Sequence, residues 1–287
     1  MKIQSIAVLI TCFNRKKDTL NCIKCLLDQV DMDQVSLKIF IIDGGSSDGT
    51  VDAVKKKYPQ VKIETRDGLY WAGGMRAAWD MAVTEEEFDF YFLVNDDTVI
   101  FPDTIFELLK ADSYSRETLS KSGIYVASTY ESETKNHSYG GKKLATWGKL
   151  STTKIIPNGK DYVQCELGNA NIMLVSKEVY DVLGNICSRY THAIGDYDYT
   201  LRAVEKGYPV WVLPKYQGEC TNDNGANVLP SSSTLKERIS YLYSPKGNSY
   251  HEYMYFIKKF FPKYRFISFL KLWGRVFVPF LWSKSRK

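Results

Sequence analysis

The sequence predicts an α/β fold with a mostly parallel central sheet, and three observations lead to this prediction. In the first half of the chain, apolar runs typical of strands alternate with stretches of helical spacing. The apolar runs have few polar interruptions, as expected of strands covered by helices on both faces. Each run also ends in a polar loop, and such sheets bind their ligands beyond the carboxyl ends of the strands.

The elements are predicted in order from the N-terminus. The strands of the first half are residues 5–10, 37–43, 61–66 and 88–94. The helices between them are residues 18–29, 50–58 and 75–83, with 68–74 as a loop and Pro102 opening the next helix. The second half continues with strand 171–175, helices 177–184 and 196–206, and strand 209–213. The polar stretch 130–164 is predicted to be a long irregular insertion that forms a lid, a binding surface or a disordered segment.

Length and composition limit the class of protein. The chain has 287 residues, which is enough for one large domain or one domain with an appendage. Its 44% hydrophobic and 25% charged residues exclude a disordered or collagenous chain. The six cysteines are scattered and do not suggest a disulfide framework. Since no long apolar stretch precedes the first strand, we expect a cytoplasmic protein.

The positive charge is concentrated in the tail. Residues 248–287 contain nine lysines and arginines and a single acid, Glu252. A nucleic-acid-binding protein more usually spreads its cations over the folded body, so we expect no nucleic-acid partner. The excess instead predicts a local anionic contact, with membrane phospholipid as the leading candidate.

The tail also has an amphipathic pattern. On a helix, one side would carry Phe266, Leu270, Trp273 and Phe277, and the opposite side Lys271 and Arg275. The apolar run 266–282 has only 17 residues and contains both cations, so it is unsuited to spanning a bilayer. Two interpretations remain, a helix lying in the membrane interface and a helix packed on the protein or on a second subunit.

Two adjacent acids follow the most hydrophobic strand, in the sequence Asn95-Asp96-Asp97. Carboxylates at the exit of a buried strand are costly unless a cation or hydrogen bonds compensate them. A hard divalent metal such as Mg²⁺ or Mn²⁺ is the simplest compensation, because it takes oxygen ligands and commonly adds substrate phosphates. A turn that caps the following helix is the alternative.

Acids occur at two further predicted sites. Asp43 ends a strand before a glycine-rich turn, where its carboxylate could accept hydrogen bonds from a nucleobase or serve an ordinary strand-turn-helix joint. Asp196 and Asp198 lie in the first turn of a predicted helix, either as capping residues or with one of them acting as a general base. His192 is near these acids, and we expect it to be structural or exposed.

Taken together, five stretches resemble the family 2 glycosyltransferases with the GT-A (nucleotide-diphospho-sugar transferase) fold, especially a branch that includes many rhamnosyltransferases. They are VLITCFNR (8–15), IIDGGSSDGT (41–50), WAGGMR (71–76), LVNDDT (93–98) and GDYDYTLR (195–202). The resemblance implies an inverting, metal-dependent transfer of a sugar from a nucleotide donor. It further implies a catalytic domain over residues 1–220 and a C-terminal helical, basic and aromatic extension over 221–287.

The resemblance also implies a role for each matching residue. The nucleoside pocket would be lined by Thr11, Phe13, Asn14 and Asp43, with Asp43 facing the base and Arg76 nearby. Asn95-Asp96-Asp97 matches the family's D-x-D position, with Asp96 near the ribose and Asp97 on Mn²⁺ or Mg²⁺. Asp196 matches the general base, and Asp198 is a second candidate because Gly195 stands where many relatives have Glu. We expect Asp97 and Asp196 to face each other across one cleft.

The implied partners are a UDP- or dTDP-sugar donor and a glycan or lipid-linked acceptor, at the cytoplasmic face of a membrane. The sequence leaves two alternatives to a glycosyltransferase. A sugar-phosphate nucleotidyltransferase normally needs a basic, glycine-rich loop near the N-terminus, and residues 11–17 contain no glycine. A non-catalytic protein that binds a sugar nucleotide or a glycan would bind the donor without turnover.

Overall fold

A central sheet of nine strands organises the chain in the computed structural model, which describes residues 3–221 and 232–279. The strands run in the order β3 (Lys62–Thr65), β2 (Val35–Asp43), β1 (Gln4–Cys12), β4 (Phe90–Val94), β11 (Ile172–Ser176), β6 (Ile124–Tyr130), β12 (Val210–Glu219) and β5 (Val99–Ile100), and β9 (Val163–Gln164) pairs with β12. The pairs β3-β2, β2-β1, β1-β4 and β6-β12 are parallel, and β11 is inserted antiparallel between β4 and β6. The prediction of an α/β fold with a mostly parallel sheet is therefore confirmed.

The strands are β1 Gln4–Cys12, β2 Val35–Asp43, β3 Lys62–Thr65, β4 Phe90–Val94, β5 Val99–Ile100, β6 Ile124–Tyr130, β7 Gly141–Leu144, β8 Thr152–Lys154, β9 Val163–Gln164, β10 Leu167–Gly168, β11 Ile172–Ser176 and β12 Val210–Glu219. The helices are α1 Lys16–Leu27, α2 Thr50–Lys57, α3 Trp71–Glu85, α4 Thr104–Leu119, α5 Lys177–Leu183, α6 Gly195–Glu205, α7 Leu235–Tyr243, α8 Tyr250–Phe260 and α9 Arg265–Phe277.

The sheet separates two hydrophobic cores. Alternate residues of a strand point to opposite faces. Along β1, Ala7 and Leu9 accordingly belong to the core on the α3 side, while Ile6, Val8 and Ile10 belong to the core that contains α1. All five residues of β4 are buried, which explains why that strand shows no alternation in the sequence. The carboxyl ends of β1, β2 and β4 are therefore held rigidly at one edge of the sheet.

Helix α3 begins earlier than the sequence predicts. It starts at Trp71, so Gly73 and Gly74 lie inside the helix and not in a loop. A Cβ atom on Gly74 would lie 2.1 Å from the Thr11 hydroxyl oxygen, and only glycine permits so close an approach of α3 to β1. Helix α4, in contrast, begins later than predicted, at Thr104 and not at Pro102.

The stretch 130–164 is irregular only in part, since it contains short strands that its composition did not predict. Strands β7 and β8 form a hairpin within it, and β10 completes a three-stranded antiparallel sheet. Strand β9, also within the stretch, joins the edge of the central sheet at β12. The strands are short and polar, with every residue of β8 exposed, so the stretch lacks the apolar signal by which strands are predicted. Strand β6 was missed as well.

The C-terminal helices divide into a packed part and an exposed part. From α8, Phe256, Ile257 and Phe260 join the core on the α3 side of the sheet. From α9, only Ser268, Leu272 and Val276 are buried, while Phe266 is 72% exposed and Phe277 62% exposed. Within residues 3–221 and 232–279, no helix is long and apolar enough to cross a bilayer.

Candidate active site

Two adjoining cavities open beyond the strand ends. The first, of about 560 Å³, is lined by residues that include Thr11, Phe13, Arg15, Trp71, Asp96, His192 and Lys246, and we call it the strand-end cavity. The second, of about 530 Å³, is lined by residues that include Trp71, Asn95, Lys142, Lys154, Asn169, His192 and Asp196, and we call it the insertion cavity. Trp71 and His192 belong to both linings. The two cavities therefore share a wall, and their contents would lie side by side.

The loops after β1 and β2 brace each other at the strand-end cavity. Asn14, which has a positive φ of 50°, accepts a hydrogen bond from the Ser47 amide at 2.8 Å. The fully buried Asp43 accepts hydrogen bonds from the amides of Gly45 at 3.0 Å and Ser46 at 2.8 Å. Asn14 thus joins the two loops, and Asp43 holds the turn that follows β2. Phe13, which is 50% exposed, presents its ring at the cavity wall.

Arg15 compensates the two adjacent acids after β4. Its Nη1 atom donates to Oδ1 of Asp96 at 3.1 Å and to Oδ2 of Asp97 at 2.5 Å. Burial nevertheless raises the pKa of Asp96 to about 7, and the neighbouring Asp97 charge acts in the same direction. Asp96 lines the strand-end cavity, and Asp97 is joined to that cavity through Arg15.

The donor atoms of this pair fit a metal only in part. Among the described residues, no group of three or more His, Cys, Asp and Glu side chains is placed to hold an ion. Mg²⁺ and Mn²⁺, however, commonly use one or two carboxylates and take their remaining ligands from water and substrate phosphates. Asp96 and Asp97 therefore suit a cation that binds together with a phosphate-containing ligand and displaces the guanidinium of Arg15.

The shared wall is held by hydrogen bonds. The Trp71 indole N–H donates to Oδ1 of Asn95 at 2.7 Å, which ties the start of α3 to the loop after β4. His192 Nδ1 accepts from the Trp71 amide at 3.4 Å. Burial and the charge of Lys246 lower the pKa of His192, so its imidazole is neutral at pH 7. Asn95 faces the insertion cavity while its neighbour Asp96 faces the strand-end cavity.

Asp196 lies in the first turn of α6 at the insertion cavity. Its Oδ1 accepts from the Tyr197 amide at 2.8 Å, and its Oδ2 accepts from Asn169 Nδ2 at 3.1 Å and from the Ala170 amide at 3.3 Å. Burial raises the pKa of Asp196 to about 6 in spite of these hydrogen bonds and of the Lys142 charge. A carboxylate with this pKa is deprotonated at pH 7 and is basic enough to accept a proton.

The backbone before Asp196 is strained. Ile194 has a φ of 72°, and a β-branched residue rarely adopts this left-handed conformation. Such strain is typical of functional sites, where the surrounding structure maintains it. Here the strained residue immediately precedes the helix turn that presents the carboxylate.

Five residues named from the sequence are in neither lining, namely Asn14, Asp43, Asp97, Arg76 and Asp198. The first three adjoin residues that line the strand-end cavity, whereas Asp198 and Arg76 make other contacts. Asp198 is fully buried, and its carboxylate accepts hydrogen bonds from Arg202, Lys259 and Tyr190. The Arg76 guanidinium donates to the carbonyl oxygens of Cys187 and Tyr190, each at 3.2 Å. Both side chains therefore stabilise the segment that leads to Asp196. The structure brings together Thr11, Phe13 and Asp96 at one cavity, and Asn95 and Asp196 at the other.

Sequence reasoning gave no site role to several residues that line these cavities, among them His192, which was expected to be structural or exposed. Trp71 and His192 form the shared wall, Lys142 and Lys154 come from the small sheet, and Lys246 comes from the C-terminal extension. The lysines carry no local motif, since they reach the cavities through long-range folding. His192 offered one usable signal, its position four residues before Asp196.

The family model described as "Glycosyl transferase family 2" matches residues 7–176, which is more than half of the chain. That range includes most of β1, all of β2 and β4, and the acids that end β2 and follow β4. A comparison with curated proteins finds no match.

Solved structures share the fold at low identity. A mannosyltransferase, PcManGT from Pyrobaculum calidifontis, in complex with GDP-Man and Mn²⁺, is similar with a TM-score of 0.53 and 13% identity, over 97% of this chain and 71% of that one. S. aureus TarS 1-349 in complex with UDP-GlcNAc is similar with a TM-score of 0.53 and 14% identity, over 84% of this chain and 65% of that one. The chain thus spans just under two thirds of that TarS structure. These likenesses confirm the GT-A type of fold.

Proposed function

The chain belongs to glycosyl transferase family 2, and on that premise we propose that it is an inverting glycosyltransferase that uses a nucleotide-diphosphate sugar. The single observation that carries the proposal is the shared wall of the two cavities. Asp96 and Asp97 lie at the strand-end cavity or next to it, Asp196 lines the insertion cavity, and Trp71 and His192 belong to both. A ligand in one cavity would therefore meet a ligand in the other.

In this proposal the nucleoside occupies the strand-end cavity. Thr11 and Phe13 line it directly, while Asn14 and Asp43 hold the loops that shape it. The diphosphate would lie towards Asp96, where Arg15 and Lys246 supply positive charge and His192 is neutral. The complexes of similar folds with GDP-Man and UDP-GlcNAc support a nucleotide-sugar donor. We further propose that the donor is a UDP- or dTDP-sugar and that the enzyme is related to the rhamnosyltransferases.

The donor sugar and the acceptor hydroxyl would meet at Asp196. The carboxylate takes the proton from the acceptor hydroxyl as that oxygen attacks the anomeric carbon. The bond between the anomeric carbon and the diphosphate oxygen breaks on the opposite face, and the nucleoside diphosphate leaves with the bonding electrons. One displacement inverts the configuration of the anomeric carbon. Asp198 takes no part, because its carboxylate is buried and bound by three donors.

The acids after β4 would hold the cofactor of this reaction. Asp97 is the proposed ligand of Mn²⁺ or Mg²⁺, with Asp96 beside it, and the Mn²⁺ complex of a similar fold supports this assignment. A divalent cation bound there would neutralise the charge that develops on the leaving diphosphate. Arg15, released from the two carboxylates, would contribute to the same charge compensation.

The C-terminal extension is proposed to reach the site and to contact a membrane. We divide the chain into a catalytic domain over residues 1–220 and an extension over 221–287, which returns to the site through Lys246. The exposed aromatic side chains of α9 and the basic tail suit peripheral contact with an anionic membrane, at the cytoplasmic face. Such a contact would give access to a lipid-linked acceptor or to a glycan built at the surface.

Thermal-shift screening tests the proposal most broadly. A panel of UDP-, dTDP- and GDP-sugars with Mn²⁺ should contain a donor that raises the melting temperature, because a ligand that binds the folded state stabilises it. That donor should then release a nucleoside diphosphate when an acceptor is added. Release of pyrophosphate from a nucleoside triphosphate and a sugar phosphate would instead indicate a nucleotidyltransferase. Donor binding without any turnover would indicate a binding protein.

A further inference from the structure

Two lysines face each other in the insertion cavity. Lys142 of β7 and Lys154 of β8 are directly paired in the antiparallel register. Residues opposite each other in such a pair have side chains on the same face of the sheet, with Cβ atoms about 4.5–5.5 Å apart. Both lysines line the cavity that Asp196 also lines. Two positive charges are therefore held close together beside the proposed general base.

Neither lysine forms an ion pair with an acid of the described residues. No carboxylate of residues 3–221 or 232–279 lies within 4 Å of the Lys142 or the Lys154 ammonium. The nearest aromatic partner of Lys142 is the Tyr197 ring, whose centroid is 5.0 Å from the ammonium nitrogen. Like charges directly opposite each other destabilise a strand pair. The arrangement thus has a cost in the absence of an anion.

Lys142 and Lys154 are the only cationic side chains among the described residues of this lining, because burial and the charges of the two lysines lower the pKa of His137 and keep its imidazole neutral at pH 7. The buried Nδ1 atom of His137 has no hydrogen-bond partner in the described part of the chain. Asp196 is the single acid among the described lining residues. Burial and the charge of Lys154 lower the pKa of Lys142, while Asp196 raises it. An incoming anion would relieve the repulsion between the two ammonium groups.

We propose that the insertion cavity binds a phosphate group of the acceptor between Lys142 and Lys154, beside the hydroxyl that Asp196 deprotonates. The acceptor is therefore a phosphate ester, either a soluble polyol or sugar phosphate or a lipid-linked phosphate. A carboxylate fits less well, because planar two-point recognition of carboxylates is the property of arginine, whereas lysine binds phosphate as a point charge. This inference rests on the proposed function and names the acceptor class of the same site.

The test measures the binding of inorganic phosphate to protein whose strand-end cavity is already occupied by a nucleotide. The protein is saturated with the nucleoside diphosphate of its best donor, so that the probe cannot occupy the donor's phosphate positions. Inorganic phosphate is then titrated and followed by calorimetry and ³¹P NMR. Lys142→Gln and Lys154→Gln should each weaken phosphate binding about tenfold or more. Lys143→Gln is the matched control, because this exposed neighbour on β7 points to the other face.

The outcomes separate the two proposals. Equal phosphate affinity in the wild type and in both lysine variants overturns the inference. It is also overturned if the lysine variants lose as much affinity for the nucleoside diphosphate as for phosphate. If Lys142→Gln fails to fold, the exposed Lys154 carries the test alone. Lysine-dependent phosphate binding in a protein that binds no nucleotide sugar would reject the proposed function and leave the anion site.

Two further arms identify the source of the phosphate. A soluble glycerol phosphate oligomer and a polyprenyl phosphate in detergent micelles are compared as competitors of inorganic phosphate. Displacement by either one that depends on Lys142 and Lys154 supports the inference and names the source. Failure of both to displace inorganic phosphate overturns it.

Discussion

Lys259 of α8 donates a hydrogen bond of 2.7 Å to the carboxylate of Asp198, whose side chain in α6 is fully buried. Arg202 and Tyr190 donate to the same carboxylate at 2.8 and 3.0 Å. Asp198 lies two residues after Asp196 on α6. The C-terminal extension is thus fastened to the helix that presents the proposed general base, and its removal would disturb the active site.

This contact predicts a loss of stability in Lys259→Met. Asp198 would keep two of its three donors and remain buried, so the free energy of unfolding should fall by about 1–3 kcal/mol. Urea denaturation measures the change. Lys258→Met is the matched control, because Lys258 is exposed on the same helix and should alter stability by less than about 0.5 kcal/mol. Equal stability of the two variants would contradict a structural role for the Lys259 contact.

The pKa of Asp196 predicts the acid limb of the pH profile. Burial raises this pKa to about 6, and only the deprotonated carboxylate can accept the proton of the acceptor hydroxyl. The value of kcat/KM, which reports the ligand-free enzyme, should therefore fall about tenfold per pH unit below pH 6 and level off above it. An unperturbed aspartate would place the limb near pH 4. Steady-state rates from pH 4.5 to 8.5 check this, and a flat profile down to pH 5 would reject Asp196 as the base.

Most of the fold could be predicted from the sequence because its signal is local. The strands β1, β2 and β4 are continuous apolar runs, and the helices α1 and α2 have clear spacing and turns. The small sheet could not be predicted, since β7 and β8 are short and polar and acquire their pairing from the rest of the domain. The start of α3 was misjudged because Gly73 and Gly74 serve close packing against β1 instead of a turn.

The site was predictable to the extent that its residues follow strands or begin helices. Asp96 and Asp196 were found in this way. The distribution of the acids over two adjoining cavities instead of one cleft was not evident, because it depends on Trp71 and His192. Lys246 was also out of reach, since a residue of the extension meets the site only after the chain has folded back.

A metal effect on donor affinity is predicted to depend on Asp97. In the wild type, Mn²⁺ should increase donor affinity, because a cation held by Asp97 would offset the negative charge of the diphosphate. Asp97→Asn should lose most of this increase while keeping the affinity measured with EDTA. Calorimetry with and without Mn²⁺ measures both values, and Asp33→Asn serves as an exposed control. An unchanged Mn²⁺ effect in Asp97→Asn would exclude this residue as the metal ligand.

Membrane contact is predicted to depend on the exposed rings of α9. Deleting the tail would remove buried residues of α8, so point substitutions are the cleaner test. Phe266→Ser together with Phe277→Ser should reduce sedimentation with anionic liposomes several-fold, because less apolar surface would enter the interface. Phe106→Ser, an exposed position on α4, is the control. If both proteins sediment alike, the membrane contact through α9 is rejected.

Donor binding and the chemistry at Asp196 should be separable. The decisive measurement is the donor affinity of Asp196→Asn by calorimetry, together with its rate of sugar transfer. We predict a donor affinity within about threefold of the wild type and a transfer rate lower by about 10²–10⁴, the usual contribution of a general base. Transfer at the wild-type rate, with donor bound normally, would contradict the assignment of Asp196 and with it the proposed reaction.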